Sequence, residues 1–127
     1  MTKWTQSLSS ATVHARDLWN EIGYVEEGKG YAVIANGQWT DGTIKCGPEG
    51  YHRAWLKPFE WLRRIPEQNW FVLVGVVDRN MKTAIAIGQG TTFVPSRSGI
   101  LFGFANDVRA MYWNNGGAVE VHLMLVN

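Results

Sequence analysis

The sequence has little cysteine, little net charge and no long apolar run, and each shortage excludes a class of protein. The single cysteine, Cys46, excludes an internal disulfide and any zinc or iron–sulfur site with several cysteine ligands. Twelve Lys and Arg face eleven Asp and Glu, so the net charge is +1. This balance does not favour electrostatic capture of nucleic acid or of an anionic membrane. No apolar run approaches the about 18 residues of a membrane span.

The first ten residues, MTKWTQSLSS, contain no apolar stretch of the kind found in an ordinary secretory signal. We therefore expect synthesis as a soluble cytoplasmic protein, with later release by a non-classical route left open. The length of 127 residues favours a single domain over 1–127. Area scaling lets such a chain bury roughly two-thirds of its unfolded surface, which is enough for one core without disulfides.

Glycine and tryptophan are in excess, with fourteen and seven residues. A tryptophan side chain combines a wide apolar ring with one N–H donor that needs a partner. Two interpretations stay open at this point. The rings fill the core of a small β protein, or one or two of them present a flat face to a sugar or a base.

Short apolar runs separated by Gly, Asn, Asp and Pro predict an all-β fold. The predicted strands are 11–19, 31–35, 70–77, 83–87, 91–94, 99–105 and 118–126. Asn36-Gly37 is predicted to end the second of them. Residues 54–64 fit a short helix or an edge strand, because Pro58 interrupts a helical pattern. Seven or eight strands at this spacing predict a two-sheet β-sandwich of jelly-roll type.

The loop at 105–117, ANDVRAMYWNNGG, carries the strongest chemical signal. Loops of about a dozen residues in compact proteins are usually functional or disordered. Asp107 follows one predicted strand and Asn114-Asn115 precede the next, so a loop that folds back brings three oxygen-bearing side chains together. Carboxylate, amide and carbonyl oxygens suit Ca²⁺. The alternative is that Asn-Asn-Gly-Gly is a hairpin turn without a ligand.

The polar stretch at 36–52 is predicted to be a second long loop. Asp41 within it is a further candidate cation ligand, or part of a Thr-Asp-Gly turn. A nucleophile–base pair of Cys46 and His52 lacks an orienting acid. The basic residues around Trp55 and Trp61 could contact single-stranded nucleic acid, but the low net charge favours a solvated edge.

Two motifs resemble those of the PA-I-type galactophilic lectins, which are calcium-dependent galactose-binding proteins of certain bacteria. They are ANGQW…KCGPEG, starting at residue 35, and LFGFANDVRAMYWNNGG, starting at residue 101. Ile87-Gly88-Gln89-Gly90 matches a further turn, and the order of the pieces is kept over about residues 25–126. The resemblance implies a galactose-binding-domain-like sandwich that binds galactose-type glycans and catalyses nothing. It also implies a homo-oligomer, because several weak sites together gain avidity.

The resemblance implies a Ca²⁺ ion held by side chains and main-chain carbonyls of two loops. The side-chain ligands are Asp107, Asn114 and Asn115, and the carbonyls lie near Met111 and Asp41. Two vicinal sugar hydroxyls complete the calcium shell. The residues implied around the sugar are Asp107, Val108 and Asn114, with His52 toward the primary hydroxyl and Trp113 at the cleft.

The sequence departs from the family pattern at Arg109-Ala110, where the family has Pro-Gly, and in a loop after Trp39 that is about two residues shorter. These departures keep a second hypothesis open, an accessory interaction module that retained the sandwich and lost the calcium–sugar site. A third hypothesis, a small hydrolase, requires a nucleophile–base pair that the sequence does not place.

Overall fold

The computed structural model describes residues 5–126, and this part of the chain forms nine strands in two antiparallel sheets. The strands are β1 (Thr5–His14), β2 (Asn20–Val25), β3 (Tyr31–Asp41), β4 (Ile44–Cys46), β5 (Leu73–Val77), β6 (Asn80–Ala86), β7 (Gly90–Phe93), β8 (Gly99–Ala105) and β9 (Asn115–Val126). Two 3₁₀ segments lie at Ala54–Leu62 and Arg109–Asn114. The predicted fold class, an all-β two-sheet sandwich, is confirmed.

The first sheet has the strand order β1-β9-β3-β4, and β7 pairs with the beginning of β3. β3 and β9 pair along the full length of β3, from Tyr31 opposite Leu125 to Asp41 opposite Asn115. The second sheet has the order β2-β8-β5-β6. Alternate apolar residues of both sheets face each other and form the main core, as the period-2 pattern of β9 predicts.

The second sheet is also covered on its outer face, which explains the unbroken apolar run at the start of β5. A second buried cluster there consists of Val72, Val74, Val76 and Phe104. Trp19 packs edge-on against Phe104, and the Arg64 guanidinium lies 3.6 Å from the centre of the Phe104 ring. A strand buried on both faces needs apolar residues at successive positions.

Several predicted strand limits are wrong, and three of these differences have a clear physical cause. β1 ends at His14 rather than at residue 19, because the Asn20 side chain bonds both main-chain groups of His14 and closes a turn. β3 does not end at Asn36-Gly37 but continues to Asp41, since pairing with β9 persists through these residues. The strand predicted from Trp70 begins only at Leu73, because Phe71 has a positive φ of 61°.

One predicted loop is wrong, and for one further segment the structure decides between two predicted alternatives. The stretch 36–52 is not one long loop, since the end of β3 and β4 form a hairpin that turns at Gly42. For residues 54–64, predicted as a short helix or an edge strand, the structure has the short helix, a 3₁₀ segment over Ala54–Leu62 with Pro58 inside it. Within residues 5–126, neither helical segment has the length and hydrophobicity that a membrane-crossing helix needs.

Candidate metal centre

One rim of the sandwich gathers four of the residues that the sequence predicts as metal ligands. Asp41 ends β3 directly opposite Asn115, the first residue of β9. The main-chain N–H of Gly42 donates to the Asn114 carbonyl at 3.2 Å. Asp107 follows β8 and is close enough to Asp41 for the two carboxylates to repel each other. The pairing of β3 with β9 therefore brings the two polar stretches of the sequence to one place.

The Asp107 carboxylate is buried, and only one of its two oxygens accepts a hydrogen bond. The residue is 3% exposed, and its Oδ1 accepts a hydrogen bond of 2.7 Å from the Val108 N–H. Its main-chain carbonyl accepts from the Arg64 N–H at 3.1 Å. The second carboxylate oxygen, Oδ2, is buried without a hydrogen-bond partner in the described part of the chain. A buried carboxylate oxygen without a partner is costly and calls for an explanation.

The two asparagines next to Asp107 present further oxygens of the same kind. Asn115 donates its Nδ2 to the Ala15 carbonyl at 2.9 Å, which fixes the orientation of the amide. Its Oδ1, like the Oδ1 of Asn114, is buried and accepts no hydrogen bond from any described residue. Three oxygens near one rim therefore lack a donor, and a bound cation would satisfy them together.

Burial raises the pKa of both carboxyl groups. The pKa of Asp107 rises to about 6, mainly through burial and further through the Asp41 charge, while the Val108 N–H and the Asn115 amide oppose the rise. Burial also raises the pKa of Asp41, and the Tyr51 hydroxyl, which donates to its Oδ2 at 2.5 Å, opposes that shift. A divalent cation would remove the repulsion between the two carboxylates.

The donor set fits a hard cation. No group of three or more His, Cys, Asp or Glu side chains placed to hold a metal occurs within residues 5–126. A cation at this rim would therefore be bound by two amide oxygens, one or two carboxylates and main-chain carbonyls. An all-oxygen set of this composition suits Ca²⁺, whereas zinc prefers nitrogen and sulfur ligands.

A cleft of about 780 Å³ opens beside the two carboxylates. Asp41 and Asp107 line one end of it. Most of the remaining lining is apolar or aromatic, and includes Tyr51, Trp55, Phe59, Leu62, Trp70 and Met111. Sequence reasoning missed this wall, because it interpreted the basic residues around Trp55 and Trp61 as a solvated edge. The tryptophan excess was the signal that could have found it.

The remaining predicted site residues divide into two groups. Val108 and Met111 line the cleft, and the Met111 N–H donates to the Val108 carbonyl at 2.9 Å. His52 and Trp113 are not among the cleft-lining residues. The His52 side chain is 63% exposed, with its Nδ1 3.9 Å from a Glu60 carboxylate oxygen. Trp113 is 70% exposed near the end of the second 3₁₀ segment.

Replacing Tyr51 with phenylalanine is expected to lower the free energy of unfolding of the metal-free protein by about 1–2 kcal/mol at pH 7. The change removes the hydroxyl that donates to Asp41 and leaves that carboxylate oxygen without its donor. Urea denaturation in the presence of a chelator measures the effect. Tyr24→Phe is the control, since Tyr24 is well exposed on β2. Equal losses in the two variants would contradict the role given to the Tyr51 hydroxyl.

Neither a protein-family model nor a curated protein matches this sequence. Among solved structures, the chain is similar to the N-terminal domain of EclA, which is described as a PllA-like lectin. The two share 15% sequence identity with a TM-score of 0.72, over 94% of this chain and 98% of the other. At this identity the likeness establishes the fold and leaves the ligand to the chemistry of the site. The chain therefore shares its β-sandwich fold with that domain.

Proposed function

We propose that this protein is a non-catalytic lectin that binds carbohydrate through Ca²⁺. The observation that carries the proposal is the cluster of three buried oxygens, Asp107 Oδ2, Asn114 Oδ1 and Asn115 Oδ1, which have no donor among the described residues. The lectin fold and the cleft that Asp107 lines support the same function. The resemblance to the galactophilic lectins supports galactose-type glycans as the ligand class.

The side chains of Asp107, Asn114 and Asn115 would hold the ion, together with the main-chain carbonyls near Met111 and Asp41 that the family resemblance implies. The Asp41 carboxylate lies at the same rim and would lend a second negative charge. Bound Ca²⁺ offers open coordination positions that two vicinal sugar hydroxyls can fill. Asp107 and Asn114 would also accept hydrogen bonds from those hydroxyls, so that only a suitably oriented diol satisfies both sets of contacts.

One shallow monosaccharide site leaves little binding energy after the ordering costs are met. We therefore propose a homo-oligomer, in which several sites act together on one glycan surface. Cytoplasmic synthesis, with release by a non-classical route left open, and sugar contacts from His52 and Trp113 remain part of this proposal.

A glycan array probed with and without a chelator tests the proposed function most directly. Binding to galactose-terminated glycans in Ca²⁺, and its loss on chelation, would support the proposal. Binding that is unaffected by chelation would place the sugar site elsewhere. Asp107→Ala is the matched variant and is expected to lose calcium and sugar together.

Adding Ca²⁺ to chelator-treated protein is expected to raise the melting temperature by about 10 °C when the free ion is about 100 times its Kd. Binding to the folded state alone contributes about 2.7 kcal/mol under that condition, which for a chain of this size gives a shift of that order. Scanning calorimetry measures it, with Asp107→Ala as the control that shows no shift. An unchanged melting temperature in the parent protein would remove calcium from the proposal.

The accessory-module hypothesis retains one specific observation in its favour. The Arg109 guanidinium, at the position where the family has the Pro-Gly turn, lies 5.9 Å from the Trp19 ring, and Trp19 packs on the outer face of the second sheet. A loop anchored in this way could have been kept for structure alone. Absence of both calcium stabilisation and glycan binding would favour this hypothesis over the lectin.

A further inference from the structure

Three arginine side chains gather around one tryptophan ring on the outer face of the second sheet. The guanidinium carbons of Arg64, Arg79 and Arg109 lie 4.4, 5.6 and 5.9 Å from the centre of the Trp19 ring. Arg64 follows the first 3₁₀ segment, Arg79 lies in the turn between β5 and β6, and Arg109 begins the second 3₁₀ segment. Three separate parts of the chain therefore bring like charges to one place.

These three arginines have no acidic partner in the described part of the chain, residues 5–126. The salt bridges there involve other basic side chains. Even Asp78, the residue before Arg79, pairs with Arg97, at a distance of 3.5 Å. Like charges that meet without a counter-charge are unfavourable, and a bound anion would relieve the repulsion.

The Arg64 guanidinium uses only one of its three nitrogens for hydrogen bonds. Nη1 donates to the Leu18 carbonyl at 2.7 Å and to the Tyr112 hydroxyl at 3.1 Å. Nε and Nη2 are buried and donate to no described residue. These two nitrogens form the edge of the guanidinium whose parallel N–H groups match two oxygens of one oxyanion. A buried donor without an acceptor is costly, so this edge calls for a ligand.

Arg64 is the buried centre of the cluster, and its two companions are exposed. The pKa of Arg64 is lowered, first by burial and further by the Arg109 charge, while the Tyr112 hydroxyl opposes the shift. Arg79 and Arg109 are exposed, and exposed side chains change rotamer rapidly. They can therefore open a path to the free edge of Arg64 and then close on a bound anion.

We propose that Arg64, Arg79 and Arg109 form a binding site for a tetrahedral oxyanion, the sulfate or phosphate group of a monoester. Such a group presents three free oxygens to the three guanidinium groups, whereas a carboxylate presents two. The Arg64 guanidinium already lies 3.6 Å from the centre of the Phe104 ring, so little of its side-chain entropy is lost on binding. The inference does not depend on the proposed function, because no residue of the candidate metal centre takes part.

Titration calorimetry with methyl sulfate and with methyl phosphate tests the site, on protein from which metal and chelator have been removed. At least one ester is expected to bind with a Kd below about 1 mM, because several charge-assisted hydrogen bonds act together. The ester that binds more tightly identifies the preferred group as sulfate or phosphate. Acetate at the same ionic strength is expected to bind at least about tenfold more weakly. Acetate that binds as tightly as both esters would overturn the tetrahedral assignment.

Arg109→Gln is expected to weaken binding of the preferred ester by at least about tenfold, and Arg79→Gln should act in the same direction. Both side chains are exposed, so the variants should fold like the parent. Arg53→Gln is the matched control. Arg53 is also exposed, and its guanidinium carbon lies 5.5 Å from the centre of a different ring, that of Tyr51. This control removes the same charge from the protein but not from the cluster, and should leave ester affinity unchanged.

The outcomes separate this inference from the proposed function. Failure of both esters to bind the parent protein would overturn the inference and show that the arginines only cover the aromatic surface. Equal weakening in Arg109→Gln and Arg53→Gln would also overturn it, because net charge would then govern binding. Since these titrations contain no Ca²⁺, neither result bears on the proposed lectin. Ester binding that appears only after Ca²⁺ is added, and not in Asp107→Ala, would place the anion at the metal centre and overturn the inference.

Discussion

Asp107→Asn is expected to stabilise the metal-free protein at pH 7 and to lower its calcium affinity by at least about a hundredfold. The carboxylate is buried, repelled by Asp41 and only half hydrogen-bonded, so that its charge is unfavourable until a cation binds. Asparagine keeps the oxygen that accepts from the Val108 N–H and removes the charge. The same charge is the main attraction for Ca²⁺, so stability and function are opposed at this residue.

The raised pKa of Asp107 explains why Asp107→Asn is expected to increase stability at pH 7. The pKa of Asp107 is raised from 3.8 to about 6 in the folded protein. The folded state therefore holds the proton more tightly than the unfolded state, and the ionised carboxyl lowers stability increasingly between about pH 4 and pH 6. A shift of this size corresponds to about 1–3 kcal/mol. Asp107→Asn should recover that amount at pH 7 and close to nothing below pH 4.

Urea denaturation of parent and variant at pH 7 and pH 4, with all metal removed, measures the gain, and calorimetric titration measures calcium affinity. Asp17→Asn is the control, because Asp17 is exposed in the turn after β1. It should change neither quantity by more than a few tenths of a kcal/mol. A variant that is less stable than the parent at pH 7 would show that the Asp107 charge is already compensated in the metal-free protein.

The meeting of the candidate ligands at one rim could be predicted from sequence, because it follows from short connections along the chain. Asp107 follows the apolar strand β8 and Asn115 begins the apolar strand β9, and the short loop between them connects the two sheets at one rim of the sandwich. For Asp41 the sequence allows two interpretations, a residue of a Thr-Asp-Gly turn or a cation ligand. In the structure Asp41 immediately precedes the turn at Gly42 and lies opposite Asn115 across the sheet, so the turn is confirmed and the role of Asp41 as a ligand stays a prediction.

The cleft could not be predicted in the same way, because exposure depends on what the rest of the chain covers. Trp19 and Trp55 are alike as residues. Trp19 packs over the outer cluster of the second sheet, whereas Trp55 stays open beside the carboxylates. The strand β2 was missed for a related reason. Its sequence, NEIGYV, has a glycine and weak alternation, and it forms a strand by pairing with β8.

Gly50→Ala is expected to lower the free energy of unfolding by at least about 3 kcal/mol. Gly50 has a φ of +76°, and an added Cβ would lie 2.5 Å from the Val72 nitrogen and closer still to the Trp70 carbonyl oxygen. Both neighbours are main-chain atoms and cannot rotate away. Relief requires the turn at 47–50 to move off residues 70–73, against the hydrogen bonds that Tyr51 and Leu73 donate across this contact.

Gly28→Ala separates the two causes of that loss. Gly28 has nearly the same φ, +82°, but an added Cβ there would meet nothing within 4 Å. It should therefore show only the backbone cost of a left-handed alanine, about 1 kcal/mol. Urea denaturation of both variants measures the difference of about 2 kcal/mol or more that is due to the clash. Equal losses of unfolding free energy in the two variants would mean that the turn at 47–50 can shift at little cost.

Gly50→Ala is also expected to affect the candidate metal centre, because Tyr51 is the next residue. Tyr51 follows Gly50, donates its N–H to the Trp70 carbonyl at 2.8 Å and its hydroxyl to Asp41, and lines the cleft. A displaced turn would move this tyrosine away from Asp41, so Gly50→Ala should also weaken calcium binding. Gly28 lies outside the metal centre, and Gly28→Ala should leave calcium affinity at the parent value. Calorimetric titration of the two variants with Ca²⁺ tests this link, and unchanged affinity in a destabilised Gly50→Ala would show that the rim holds its geometry without Tyr51.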